Sequence, residues 1–123
     1  MTIEDLDTFF GEGWNGHDVE RLMTFMTDDC VFESAAGPEV CGARHAGREA
    51  VRAAFTRVLT SVPDAAFHDT RHFVAGDRGV SEWRFTGTTA AGTKVEVDGC
   101  DVVTFRGGKI AAKSSFLKNR VAS

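Results

Sequence analysis

A chain of 123 residues, 42% hydrophobic and 26% charged, has the composition of one ordinary globular domain spanning 1–123. It has no apolar run near the ~18–20 residues a membrane span needs, and its formal charge of −4 gives no electrostatic reason to bind nucleic acid. Tyrosine is absent, so no phenol can act as acid, base or oxyanion donor, and three scattered cysteines (Cys30, Cys41, Cys100) argue against a disulfide framework or a thiolate zinc cage. The opening MTIEDLDTFF is acidic and lacks the basic start of a secretion signal, so a cytoplasmic protein is expected. Charge is unevenly placed: residues 1–40 carry ten carboxylates against Arg21 alone, and only bases follow Asp101. That basic end is expected to face the acidic helices of its own fold.

The spacing predicts a helix over residues 2–15, with Thr2 as N-cap, Glu4 and Asp5 in the first turn, and Ile3, Leu6, Phe9, Phe10 and Trp14 as its apolar stripe. Asn15-Gly16 ends it, glycine supplying the left-handed conformation. Asp18 caps a second helix, with Val19, Leu22, Met23 and Met26 inward, that stops at Thr27-Asp28-Asp29. Cys30 to Ser34 reads as a short strand and 35–46 as a loop containing Gly37, Pro38 and Gly42. A third helix runs from Arg48 to Ser61 on the one-sided repeat of Ala50, Val51, Ala54, Phe55, Val58 and Leu59, and Pro63-Asp64 breaks it. Strands follow over 66–74, 79–89, 93–98, 100–106 and 109–117, divided by Gly76-Asp77, Ala91-Gly92, Asp98-Gly99 and Gly107-Gly108. Three helices ahead of an antiparallel meander predict an α+β fold, with helices gathered on one face of a curved sheet. Helices cannot fill the concavity of a strongly bent sheet with small side chains, so a cavity is expected.

Five stretches in order carry a resemblance: Trp14-Asn15-Gly16-His17-Asp18, Asp28-Asp29-Cys30-Val31-Phe32-Glu33, Gly47-Arg48-Glu49-Ala50-Val51, Val62-Pro63-Asp64 and Phe105-Arg106-Gly107-Gly108-Lys109-Ile110. Together they resemble the SnoaL-like branch of the nuclear-transport-factor-like, ketosteroid-isomerase-like superfamily. The resemblance implies a conical roll on a mixed, mostly antiparallel sheet, with an apolar pocket under the helices, commonly as a homodimer. It does not imply one activity, since the fold hosts isomerases, polyketide cyclases, epoxide hydrolases, dehydratases and non-catalytic binding domains. The isomerases' oxyanion tyrosine matches Phe10, which has no donor; their base falls near Ser34, with Glu33 before it; their protonated aspartate falls on Asp101. The cyclases' histidine and aspartate fall near Asp101 and Ser115. The epoxide hydrolases' arginine between carboxylates finds matching types in Glu82, Arg84 and Asp101.

Asp101 is the leading candidate. In a regular strand it shares a face with Val103 and Phe105. Desolvation disfavours the ionised form of a carboxylate facing an apolar pocket, which suits a neutral donor or general acid. Lys113 bears on this. A type I turn with a glycine bulge at Arg106-Gly107-Gly108-Lys109 would put Lys113 opposite Asp101, with Ser115 on the same face. A tight two-residue turn would instead point Ser114 inward, and a Lys113–Asp101 pair would restore the ionised aspartate. Strand 79–89 offers two readings: composition turns Trp83 and Phe85 to the core, whereas the family match turns Glu82 and Arg84 to the pocket. His17 is expected to be structural and His45 to lie near the pocket mouth. His68 and His72, four apart on a strand, share a face about 13 Å apart and cannot bind one metal.

Two functions remain open. One is a small enzyme acting on an apolar, carbonyl-bearing molecule by acid–base chemistry without metal or cofactor. Asp101 would carry the proton, Ser34, Glu33 or His45 would assist, and Phe10, Trp14, Phe32, Phe55, Val103, Lys113 and Ser115 would line the ligand site. The other is a non-catalytic ligand-binding or dimerisation protein of the same fold. Val102, Ile110, Ala112 and Phe116 are expected to share the sheet face away from the helices and to join two copies.

Overall fold

The computed structural model describes residues 1–121. Three helical elements pack on one face of an open six-stranded sheet. Helix α1 (Ile3–Thr8) starts from a reciprocal capping box: Thr2 Oγ1 accepts from the Asp5 amide at 3.1 Å, and Asp5 accepts from the Thr2 amide at 2.9 Å. It runs on as a π-helical segment, Phe9–Trp14, rather than as a regular helix to residue 15. At the following turn the left-handed residue is His17 (φ 52), not Gly16. Gly16 is needed for another reason: a Cβ there would lie 2.2 Å from the Glu12 carbonyl oxygen. His17 Nε2 lies 2.7 Å from the Ala65 carbonyl, tying this turn to the start of the sheet. Helix α2 (Val19–Thr24) is capped by Asp18, and α3 (Arg48–Ser61) buries Val51, Ala54, Phe55 and Leu59.

The strands are β1 (Met26–Glu39), β2 (Gly42–Ala46), β3 (Ala66–Ala75), β4 (Arg78–Thr88), β5 (Lys94–Arg106) and β6 (Lys109–Leu117). Their order is β2-β1-β6-β5-β4-β3, and every pair is antiparallel except β1 with β6. The stretch expected as a loop, 35–46, is the far end of β1 with its hairpin partner β2. The two strands expected at 93–98 and 100–106 are one, β5. Gly99 does not break it: Trp83 stands directly opposite, and a Cβ on Gly99 would meet the indole at 2.7 Å. Glycine here makes room for a ring in mid-strand.

Two bulges decide which side chains face the helices. In β3 the register shifts between His68 and Arg71, around Asp69 at φ 54. In the β5–β6 hairpin Gly107 and Gly108, both at positive φ, make the tight turn, and Arg106 pairs with Lys109. One extra residue, Ala111, then separates Ile110, opposite Phe105, from Ala112, opposite Thr104. The tight turn and the bulge occur together, and the bulge returns Lys113 and Ser115 to the helix side. It also corrects the expected place of Ile110, which is fully buried in the core.

The core is largely aromatic. Phe55 meets Trp14 and Phe32 at 4.8 and 5.1 Å, and Phe67 meets Trp83 at 4.9 Å, all close to edge-on. Each such pair adds roughly 0.5–1.5 kcal/mol beyond its buried area. The acidic first third is partly neutralised within the fold: Arg106 pairs with Asp29, and Arg52 with Glu20 at 2.9 Å.

Candidate functional site

A row of polar side chains crosses four strands beneath the helices. Asp101 on β5 stands opposite Ser115 on β6 and Ser81 on β4, and Ser81 stands opposite His72 on β3. Asp101 is 0% exposed and Lys113, one inward position along β6, is 3% exposed. Lys113 Nζ lies 3.1 Å from Asp101 Oδ1 and donates to Ser115 Oγ at 3.0 Å. Ser115 donates in turn to Asp101 Oδ1, and Trp83 Nε1 donates to Asp101 Oδ2 at 3.2 Å. With an ammonium, a hydroxyl and an indole N–H all directed at it, the Asp101 carboxylate is an acceptor here. The neutral-donor role falls away.

The ammonium sits among rings. Its nitrogen is 4.6 Å from the centroid of Phe32, 5.2 Å from Trp14 and 5.8 Å from Phe55. Ring faces carry negative potential, so they stabilise a cation that burial would otherwise penalise. Trp14 is 1% exposed, and its Nε1–H has no partner among the described residues. An unpaired buried donor costs roughly 1–3 kcal/mol. Lysine has three donors, and among the described residues Asp101 and Ser115 take one each.

The other candidate residues spread out. His45 stacks on Phe32 at 5.8 Å from the half-exposed edge strand β2. Val103 lies opposite Lys113 and is buried. Ser34 donates to the carbonyls of Ala36 and Ala43, at 3.2 and 3.3 Å. Glu33 is paired with Ser114 on the opposite face and lies 3.3 Å from Arg44. Phe10 packs against Phe67 and His72, away from Lys113. On β4 the composition reading holds: Ser81 and Trp83 face the core, while Glu82 and Arg84 face away, Arg84 pairing with Asp98 at 2.8 Å. Glu82, Arg84 and Asp101 therefore do not assemble.

His72 corrects the sequence reading. Strand alternation alone puts it on the same face as His68. The bulge at Asp69 puts them on opposite faces: His68 is exposed beside Thr86, and His72 is buried. His72 Nδ1 lies 2.8 Å from Ser81 Oγ, and Nε2 lies 3.0 Å from Asp7 Oδ1 on α1. Burial pushes the His72 ring below its ordinary range, and Asp7 only partly offsets this. The unfolded chain therefore binds this proton first. Stability is full above the unfolded value of about 6.5 and falls as pH drops through it toward the lower folded value. Urea midpoints at about pH 7.5 and 5.5 should differ less in a His72→Gln variant than in the wild type. Equal differences would remove His72 as the cause. The three thiols are all pushed up, chiefly by burial, so none is an activated nucleophile.

A surface cleft of about 520 Å³ has Arg71, Glu82, Arg84, Asp98, Cys100 and Phe116 among its walls, so it opens mainly on the face away from the helices. Asp101 and Lys113 are not part of it.

Helices on one face of an open mixed sheet, over a buried polar cluster, define an α+β roll of the nuclear-transport-factor-like class. The chain belongs to the SnoaL-like domain family, whose model matches residues 6–113. A nuclear-transport-factor-like protein of unknown function from Mesorhizobium loti is similar at 31% identity, with a TM-score of 0.73 over 94% of this chain and 89% of that one. A protein with a ketosteroid isomerase-like fold from Catenulispora acidiphila, in complex with trimethylamine, is similar at 20% identity and a TM-score of 0.79, over 94% and 86%. TerC, co-crystallised with polyporic acid, is similar at 20% identity and a TM-score of 0.78, over 94% and 90%. No curated protein matches the chain in sequence. No helix among the described residues is long and apolar enough to cross a membrane.

Proposed function

We propose that this protein binds a small apolar molecule bearing a carbonyl or related oxygen between its helices and sheet, and that Asp101 moves a proton there without metal or cofactor. The carrying observation is the buried Asp101–Lys113 pair beside the unpaired indole N–H of Trp14. A buried ion pair is weak support for stability, because apolar residues of similar volume often serve as well or better. Its presence in an aromatic core therefore favours a role in binding. Lys113 and Trp14 supply donors to an acceptor oxygen, the surrounding rings supply the apolar walls, and the Asp101 carboxylate supplies the base. The Phe32–His45 stack lies at the sheet edge, with His45 only partly buried, and serves as the entry in this reading. That fold relatives were crystallised with trimethylamine and with polyporic acid supports the reading that such a site takes a small organic molecule.

2-Acetylnaphthalene tests this. The wild type should quench tryptophan fluorescence saturably on binding it, and Lys113→Met should weaken binding about tenfold, as for loss of one charged hydrogen bond. Absence of saturable quenching would overturn the binding reading. In D2O the enzyme reading expects accelerated exchange of the ketone's methyl protons, lost in Asp101→Asn. Binding without exchange would leave the non-catalytic reading.

The outer sheet face supports the further proposal of a two-fold homodimer. Phe73 and Phe116 are each 55% exposed there, on the same face as Val80, Val102 and Ala112. Large apolar side chains this exposed, set beside the charged Glu82 and Arg84, are the surface that a second copy would cover. Light scattering at micromolar concentration should give the mass of a dimer; a monomer mass would rule it out.

A further inference from the structure

We propose that the inner site is a cage for an alkylammonium ion that the chain fills from within, and that Lys113 thereby sets the ligand class: an oxygen acceptor is admitted and an amine is not. This deepens the reading of the inner site as a ligand site and rests on it for the second half only. The cage has the parts that recognise an organic cation. Three rings, Phe32, Trp14 and Phe55, stand 4.6, 5.2 and 5.8 Å from one nitrogen, and a carboxylate stands 3.1 Å from it. None of these belongs to Lys113's own strand: Phe32 comes from β1, Trp14 from the π-helical segment, Phe55 from α3 and Asp101 from β5. They converge on a position in space, and the butyl stem of Lys113 delivers a cation to it.

Two consequences follow from charge. A free amine would have to place a second positive charge beside Lys113 with only one buried carboxylate to share. A carbonyl or anionic oxygen meets instead the donors that the cage leaves unpaired, the third N–H of Lys113 and the indole N–H of Trp14. Removing the side chain beyond Cβ should reverse this preference, because the carboxylate and the rings remain and the volume of an alkylammonium is vacated.

Lys113→Ala and the space-filling Lys113→Met are the informative variants, with n-propylammonium, the group removed beyond Cβ, as probe. Lys113→Ala should be destabilised, and n-propylammonium should raise its melting temperature with dose, by about 10 °C at a hundredfold excess over Kd. Neither the wild type nor Lys113→Met should respond, and 1-propanol should not replace the amine. Wild-type protein should bind 2-naphthoate at least tenfold more tightly than 2-naphthylmethylammonium by calorimetry. A folded Lys113→Ala that ignores the amine overturns the cage. So does a Lys113→Ala chain that stays unfolded at saturating amine, or a wild type that prefers the naphthyl cation. Amine rescue of Lys113→Ala, with neither naphthyl probe bound by the wild type, would uphold the cage and overturn the ligand site of the proposed function.

Discussion

Lys113→Met should lower the stability of the protein by about 3–5 kcal/mol, the usual cost of breaking a buried ion pair by removing one partner. The side chain keeps most of its volume, so the loss is electrostatic. Asp101, 0% exposed, would keep Ser115 and Trp83 as donors but lose the ammonium beside it. Asp101→Asn should be destabilising for the mirror reason, since it strands an ammonium that is 3% exposed. The double variant Asp101→Asn, Lys113→Met should recover much of either loss, because no uncompensated charge is left. Urea midpoints at constant m-value measure all four species. A Lys113→Met chain as stable as the wild type, or losses that simply add, would show that the pair is not the desolvated contact described here.

Gly99→Ala should also be strongly destabilising, although it adds one methyl group. That carbon would lie 2.5 Å from the Phe116 carbonyl oxygen and 2.7 Å from two atoms of the Trp83 ring. The carbonyl belongs to the neighbouring strand and cannot swing away, so the indole must move or the β5–β6 spacing must open. Overpacking of this kind costs about 1–3 kcal/mol. Moving the indole also withdraws Nε1 from Asp101 Oδ2, a charge-assisted hydrogen bond worth roughly 1.5–3 kcal/mol. The Trp83 indole N–H resonance should shift in a 1H–15N spectrum of the variant while that of Trp14 stays. Wild-type stability with an unmoved Trp83 resonance would contradict this account.

Local features were legible in the sequence. Thr2 and Asp18 cap their helices, because capping needs only a short side chain and the next few amides. Helix α3 matches its expected span, since its apolar repeat and its breakers lie within one segment. Asp101, Lys113 and Ser115 do share a face and touch one another, although Ser115, and not Lys113 as expected, stands directly opposite Asp101. What failed was parity. Facing along a strand is a running count, and one unforeseen bulge inverts every position beyond it. The bulge at Asp69 hid His72, because alternation from Phe67 turns it outward. The bulge at Ala111 placed Ile110 on the wrong face. Neither position carries a glycine or proline to announce it. Gly99 differs: in the sequence it looks like a breaker, and its reason lies across the sheet in the ring of Trp83.

The π-helical segment Phe9–Trp14 makes chain length itself a variable in this region. Its wide turn, closed by the Asn15 amide on the Phe10 carbonyl at 2.8 Å, holds one residue more than a regular helix would over the same span. Deleting Gly11 would give a tighter helix with a better intrinsic propensity. Over the same span the shorter, regular helix would leave Trp14 on the face it already occupies, against Phe55 and the Lys113 ammonium. Asn15 would keep its two bonds to the backbone of Phe67 at 2.7 and 3.0 Å. A family member could thus gain or lose one residue here by a single-codon change, with every wall of its buried site left in place.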